Sequence, residues 1–168
     1  MTNSRLSARV AYKNHSEGRV MAEQPKEPDI YLTLYRVINA PIEMVYVAWT
    51  DPGLLQRWLA PGNAVVSRAV AEVVVGGTFL IEMRWADGGS WRTRGVYREV
   101  VPHRRLVFTW CWEGSEVESL VTVEFESESA GTTRLTLTHS RFAQDEARDE
   151  HERGWLGCLA KLEDLWAG

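Results

Sequence analysis

The sequence predicts an α+β domain: an antiparallel sheet of about six to seven strands, two short helices after the first strand and one long helix at the C-terminus. Three observations predict it. From about Val65 to His139 apolar and polar residues alternate with period two, in short segments separated by turn residues, the pattern of an antiparallel meander. Before it, "PIEMVYVAWTDPGLLQRWLAP" holds two short runs at helical spacing, split by Asp51-Pro52. After it, from roughly Gln144 to Trp166, apolar residues recur at three- and four-residue steps.

Residues 1–28 are mostly polar, lack a sustained period and end in "EQPKEP", where two prolines break any regular element. A mobile tail is expected there, and the domain is expected over 29–168; whether translation starts at Met1 or Met21 stays open. "DIYLTLYRVINAP" then reads as a β-rich strand ending at Asn39, before a proline at the favoured first position of a helix. In that helix Ile42, Val45, Tyr46 and Trp49 share a face. The second helix presents Leu54, Leu55, Trp58 and Leu59, and stops at Pro61-Gly62.

In "GTFLIEMRWADGGSWRTRGVYREV" a three-residue loop of Asp87, Gly88 and Gly89 would set Trp85 opposite Trp91, Met83 opposite Thr93, Ile81 opposite Gly95 and Phe79 opposite Tyr97. Glu82 would then face Arg94 on the other side, where Arg84, Arg92 and Arg98 also fall, a solvated outer face. "HRRLVFTWCWE" continues the inner row with Leu106, Phe108, Trp110 and Trp112. "ESLVTVEFES" and "TTRLTLTHS", joined at Ala130-Gly131, contribute Ser119, Val121, Val123 and Phe125, then Leu135, Leu137 and His139. Trp155, Cys158, Leu159, Leu162, Leu165 and Trp166 form the apolar stripe of the terminal helix. Gly154 and Gly157 each cost up to ~1 kcal/mol inside a helix, so something is expected to approach closely near Trp155.

Net charge is −4, with basic residues scattered among acidic ones, which leaves no electrostatic footprint for nucleic acid. No window approaches the ~18 apolar residues needed to span a bilayer, and the N-terminus has no apolar leader core, so no membrane span and a cytoplasmic location are expected. Cys111 and Cys158 are too few for a disulfide framework and read as reduced, small apolar residues. Eight tryptophans are the compositional anomaly, and tryptophan of this abundance lines cores, pockets or interfaces.

In order along the chain, "YRVINAPIEMVYVAWTDPGLLQRWLAP", "GGTFLIEM", "GVYREVVPHRRLVFTW", "TRLTLTHSRF" and "GWLGCLAKLEDL" resemble the motifs of the family similar to the activator of the 90-kDa heat-shock protein ATPase. This AHSA-type family is a branch of the START-like, pollen-allergen-type SRPBCC superfamily. The resemblance spans about residues 29–167. It implies a helix-grip fold, a curved antiparallel sheet wrapped around the C-terminal helix, with an apolar cavity between them and the two short helices near its mouth. It supplies no catalytic motif.

The inner aromatic row has two readings, a packed core or a pocket wall. Gly95 in its middle would leave open volume or mark a bulge or bend. On the pocket reading, a hydrophobic small molecule is bound by Phe79, Met83, Trp85, Trp91, Tyr97, Phe108 and Trp110 from the sheet and by Trp155, Cys158, Leu159 and Leu162 from the helix, with Trp58 as a gate at the mouth. Tyr97 and His139 are the candidates for acid–base chemistry in a cyclase- or hydrolase-like alternative. His139 reads otherwise as a hydrogen-bonded strand-end residue, and His151 as part of a charged helix start. No histidine or cysteine has zinc-ligand spacing, so no metal is expected, and no cofactor is implied. A chaperone-regulating interaction domain is the other alternative, and a homodimer stays open.

Overall fold

The computed structural model describes residues 29–167; the tail expected over 1–28 lies outside the described residues. Strand β1 (Ile30–Ile38) is followed by helices α1 (Ile42–Thr50) and α2 (Pro52–Trp58). Six strands follow: β2 (Val65–Ala71), β3 (Thr78–Arg84), β4 (Ser90–Val101), β5 (Arg105–Trp112), β6 (Ser119–Ser129) and β7 (Thr132–Phe142). Helix α3 (Asp145–Asp164) closes the chain. The seven strands form one curved antiparallel sheet in the order β1-β7-β6-β5-β4-β3-β2, the helix-grip arrangement.

One residue separates the two short helices. The backbone N–H of Asp51 donates to Val47 O (2.8 Å), ending α1, while its Oδ1 accepts from the Leu54 N–H (3.1 Å), starting α2 with Pro52 at the first turn. The abrupt turn lets Trp58 fold back. Its Nε1 donates to Ala48 O at 2.9 Å and its ring meets Trp49 edge-on, centroids 4.5 Å apart. Trp58, expected as a gate at the mouth, is fully buried and pins α2 to α1 instead. Trp58→Phe, which keeps an aromatic ring but orphans the Ala48 carbonyl, is expected to lower stability by about 1–3 kcal/mol in urea titration. It is not expected to alter ligand uptake.

The β3–β4 hairpin carries a correction of two residues in register. Phe79 pairs with Gly95, Ile81 with Thr93, Met83 with Trp91 and Glu82 with Arg92. The loop is Ala86-Asp87-Gly88: Trp85 O accepts from the Gly88 N–H, and the Trp85 N–H donates to Gly89 O. Gly88 takes the positive φ (94°) required at the third loop position, and Asp87 Oδ1 accepts from the Gly89 N–H at 2.9 Å. Either glycine could have filled that position; the Asp87 side chain selects Gly88. The two-residue shift preserves which side chains face inward. Glu82, expected on a solvated face, is only 8% exposed, held by Ser67 Oγ and Arg92 Nε, each at 2.7 Å.

The remaining inward sets are as the alternation predicts, with Ser119, Val121, Val123, Phe125, Leu135, Leu137 and His139 all buried. Helix α3 turns Trp155, Cys158, Leu159 and Leu162 toward the sheet. It is fastened to the loop after α2 in two ways. Lys161 Nζ donates to the Ala60 and Ala64 carbonyls, and a Cβ placed on Gly157 would touch Pro61 and Gly62 at 3.3 Å. Gly157 is thus the close approach expected near Trp155. Gly154 is not: a Cβ there meets nothing within 4 Å.

Among the described residues no helix is long and apolar enough to cross a membrane.

Candidate functional site

A cavity of about 260 Å³ lies between β3–β5 and the middle of α3. Met83, Trp85, Trp91, Trp110 and Trp112 form its sheet wall. Glu150, His151, Gly154, Trp155 and Cys158 form the helix wall, and Leu59 with Pro61 closes one end. Trp91 stands 56% exposed at the rim. Gly154 lines the cavity without a side chain, and a Cβ there would meet nothing within 4 Å.

Of the residues expected at a ligand, the structure brings together Met83, Trp85, Trp91, Trp110, Trp155 and Cys158. Phe79, Tyr97 and Phe108 lie deeper, around a second void of about 20 Å³, room for a water and not for an organic ligand. Their rings pack on one another, Phe79–Phe108 at 5.4 Å and Tyr97–Phe108 at 5.8 Å, so this part of the row is core. Leu159 and Leu162 are fully buried in the core, and Trp58, also fully buried, does not line the cavity. Gly95 supplies no open volume: a Cβ there would sit 1.9 Å from Thr109 O and 2.4 Å from the Phe79 ring. The β4–β5 pairing skips Gly95 and Val96, and Thr109 Oγ1, not a carbonyl, accepts from the Val96 N–H at 2.8 Å.

Two histidines hold two of the wall tryptophans. Trp155 Nε1 donates to His139 Nδ1 (3.0 Å), which makes Nδ1 the acceptor and places the imidazole proton on Nε2. His139 Nε2–H then donates to Ser119 Oγ (2.7 Å), and the Ser119 hydroxyl donates to Trp110 O (3.0 Å). His151 takes the opposite tautomer: Nδ1–H donates to Ala147 O (2.6 Å), and Nε2 accepts from Trp112 Nε1 (2.9 Å). Both rings are satisfied only when neutral. Burial, with His151 beside it, holds His139 well below the usual imidazole range. Burial lowers His151 too, against the opposing influence of the Ala147 carbonyl and the Glu150 carboxylate.

This arrangement does not make His139 a base, because both its nitrogens are occupied. Tyr97 and His139 line no common cavity among the described residues, and burial raises the Tyr97 hydroxyl above the ordinary tyrosine range. Burial likewise pushes the Cys158 thiol up to about 12, leaving it protonated, with Lys161 opposing only in part. Among the described residues no three His, Cys, Asp or Glu side chains gather to hold a metal ion.

Trp112, which alternation put in the inner aromatic row, joins the wall, whereas His151, Glu150, Gly154, Leu59 and Pro61 were not expected at a ligand. For His151 the signal was present: it lies four residues before Trp155, on the same helical face.

Among curated proteins none matches the chain. Solved structures do. A protein of Chromobacterium violaceum superimposes with a TM-score of 0.73 at 28% identity, over 81% of this chain and 96% of its own. An AHSA1 protein of Silicibacter pomeroyi gives 0.73 at 26%, over 82% and 98%. A protein of Nitrosomonas europaea gives 0.70 at 26%, over 81% and 93%. The family model described as "Activator of Hsp90 ATPase homolog 1-like protein" matches residues 39–167, from the end of β1 through α3. The chain belongs to that family, within the SRPBCC superfamily.

Proposed function

We propose that the protein is a non-catalytic binding module that takes up a small hydrophobic molecule between the sheet and α3. The observation that carries this reading is the half-exposed Trp91 indole on the rim of a cavity whose wall holds four more tryptophans. A core would fill such a space, and an isolated domain does not ordinarily leave this apolar surface open. The volume lies below the roughly 300–1,000 Å³ of drug-sized pockets, so the ligand has one or two rings rather than long acyl chains.

Gly154 supplies the test. Gly154→Ala meets no neighbour and removes a helix-interior glycine, so it is expected to raise stability by about 0.5–1 kcal/mol in thermal or chemical denaturation. Gly154→Leu keeps the helix and fills the cavity. Ligand-induced changes in tryptophan fluorescence, across a library of small aromatic and aliphatic compounds, should occur in the parent and in the alanine variant and vanish in the leucine variant. Saturable binding that survives Gly154→Leu would place the ligand elsewhere, and no saturable response in the parent would end the proposal.

Regulation of a chaperone ATPase is the second reading, favoured by the description of the family whose model matches. A change in the turnover of a purified Hsp90-type ATPase on adding the protein would favour it; unchanged turnover would remove it.

A further inference from the structure

We propose that the cavity selects a cation: a small quaternary or tertiary ammonium carrying an aromatic or short alkyl group. This rests on the binding-module reading and names the ligand class for that site.

Successive indoles on the sheet wall stand nearly perpendicular to one another. Trp91 and Trp112 meet at 83° with centroids 6.1 Å apart, and Trp112 and Trp110 meet at 86° with centroids 5.7 Å apart. In an edge-to-face pair one ring's edge covers a single face of the other, so perpendicular rings in succession leave π faces uncovered, as the walls of a box do. A set of parallel stacked rings would have consumed those faces. The face of an indole is its electronegative side and attracts an ammonium group placed over it.

The hydrogen-bond pattern removes the competing polarity. An indole can offer a ligand its positive N–H, but Trp112 and Trp155 have committed theirs to His151 and His139, and the Trp110 N–H is fully buried without a partner. The two imidazoles that receive these bonds are neutral and offer no free N–H, since His151 Nδ1–H is spent on Ala147 O and His139 Nε2–H on Ser119. The inner wall therefore offers an anion or a hydrogen-bond acceptor no free donor, and the Trp85 and Trp91 N–H groups are the indole donors left to it.

Formal charge points the same way. Glu150 is the charged side chain on the wall, exposed and without an ion pair among the described residues. No lysine or arginine lines the cavity. The arginines of β3 and β4 nearest to it, Arg84 and Arg92, are drawn to Glu82 on the opposite face at 3.6 and 2.7 Å. A cation in the cavity would meet π faces on the sheet side and a carboxylate at the rim, with no cation opposing it.

The test uses an isosteric pair that differs in charge alone, phenyltrimethylammonium and tert-butylbenzene, titrated into the full chain above the imidazole range and followed by tryptophan fluorescence. The cation is expected to bind about tenfold more tightly than the neutral compound. Trp91→Leu, which keeps an apolar rim without a π face, should erase that preference while retaining the neutral ligand. Glu150→Gln should weaken the cation about threefold, as expected for one partly exposed charge, and leave the neutral compound unaffected. Both sites are exposed, so neither variant threatens folding. Equal or tighter binding of the neutral compound would overturn the cation proposal and leave the hydrophobic-ligand reading standing. Saturable uptake of other library members with no binding of either probe would also overturn it, and silence from every compound would overturn both.

Discussion

Gly95→Ala is expected to destabilise the protein by about 3 kcal/mol, toward the upper end of what overpacking does. The new Cβ would lie 1.9 Å from the Thr109 carbonyl oxygen and 2.4 and 2.6 Å from two Phe79 ring atoms. The ring alone could be accommodated by a rotamer change, but the carbonyl belongs to the neighbouring strand's backbone, and moving it disturbs β5 and everything paired with it. Phe79→Leu should therefore rescue Gly95→Ala only in part. The midpoint and slope of urea unfolding read this directly; an unchanged midpoint would show that the β4–β5 pairing can relax and that the glycine is dispensable.

Acid should destabilise the fold through the histidines, and His139→Leu should flatten that response. The folded pKa of His139 lies below 6.5, its ordinary value, so the unfolded chain binds the proton first as pH falls. The stability contributed by the neutral, buried ring is complete above about pH 6.5 and is lost progressively below it, by up to ~1.4 kcal/mol per pH unit until the folded pKa is reached. His151 adds to the slope in the same direction. His139→Leu also orphans the Trp155 N–H and deprives Ser119 of a partner, so it starts about 2–4 kcal/mol less stable at neutral pH. Its stability should vary less between pH 7 and 5 than the parent's. A parallel loss in both proteins would assign the acid sensitivity elsewhere, to His151 or to carboxylates.

The architecture was legible because period two and period 3.6 are both written strongly, and burying one face of each element leaves little choice of partner. Ser119, Leu137 and His139 came out inward on alternation alone. The hairpin register did not, since "ADGGS" holds two glycines able to take a positive φ and only the Asp87 side chain decides between them. Trp58 was misplaced because its indole N–H is satisfied by a carbonyl ten residues back, a contact without periodicity. The cavity wall was half legible: the strand residues followed from alternation. His151 was hidden among Asp149, Glu150 and Glu152, where charge suggested a solvated turn although the spacing to Trp155 suggested otherwise. How deep the row is packed could not be read at all, because Gly95 looks the same in sequence whether it leaves a gap or is filled by a neighbour's ring.

The sheet order has a consequence for how the molecule is made. β1 is the first strand translated in the described region and pairs with β7, the last; Thr33 meets Thr138 across 105 residues, and Thr133 reaches Ala40 across 93. Every other neighbouring pair in the sheet is consecutive in the chain. The meander from β2 to β7, with the two short helices packed on each other and on β2, can therefore form locally as it leaves the ribosome, whereas β1 must wait, unpaired, until nearly the whole chain has emerged. The join between first and last strand is the slow, long-range step of folding, and the nascent chain is most exposed to aggregation before it closes.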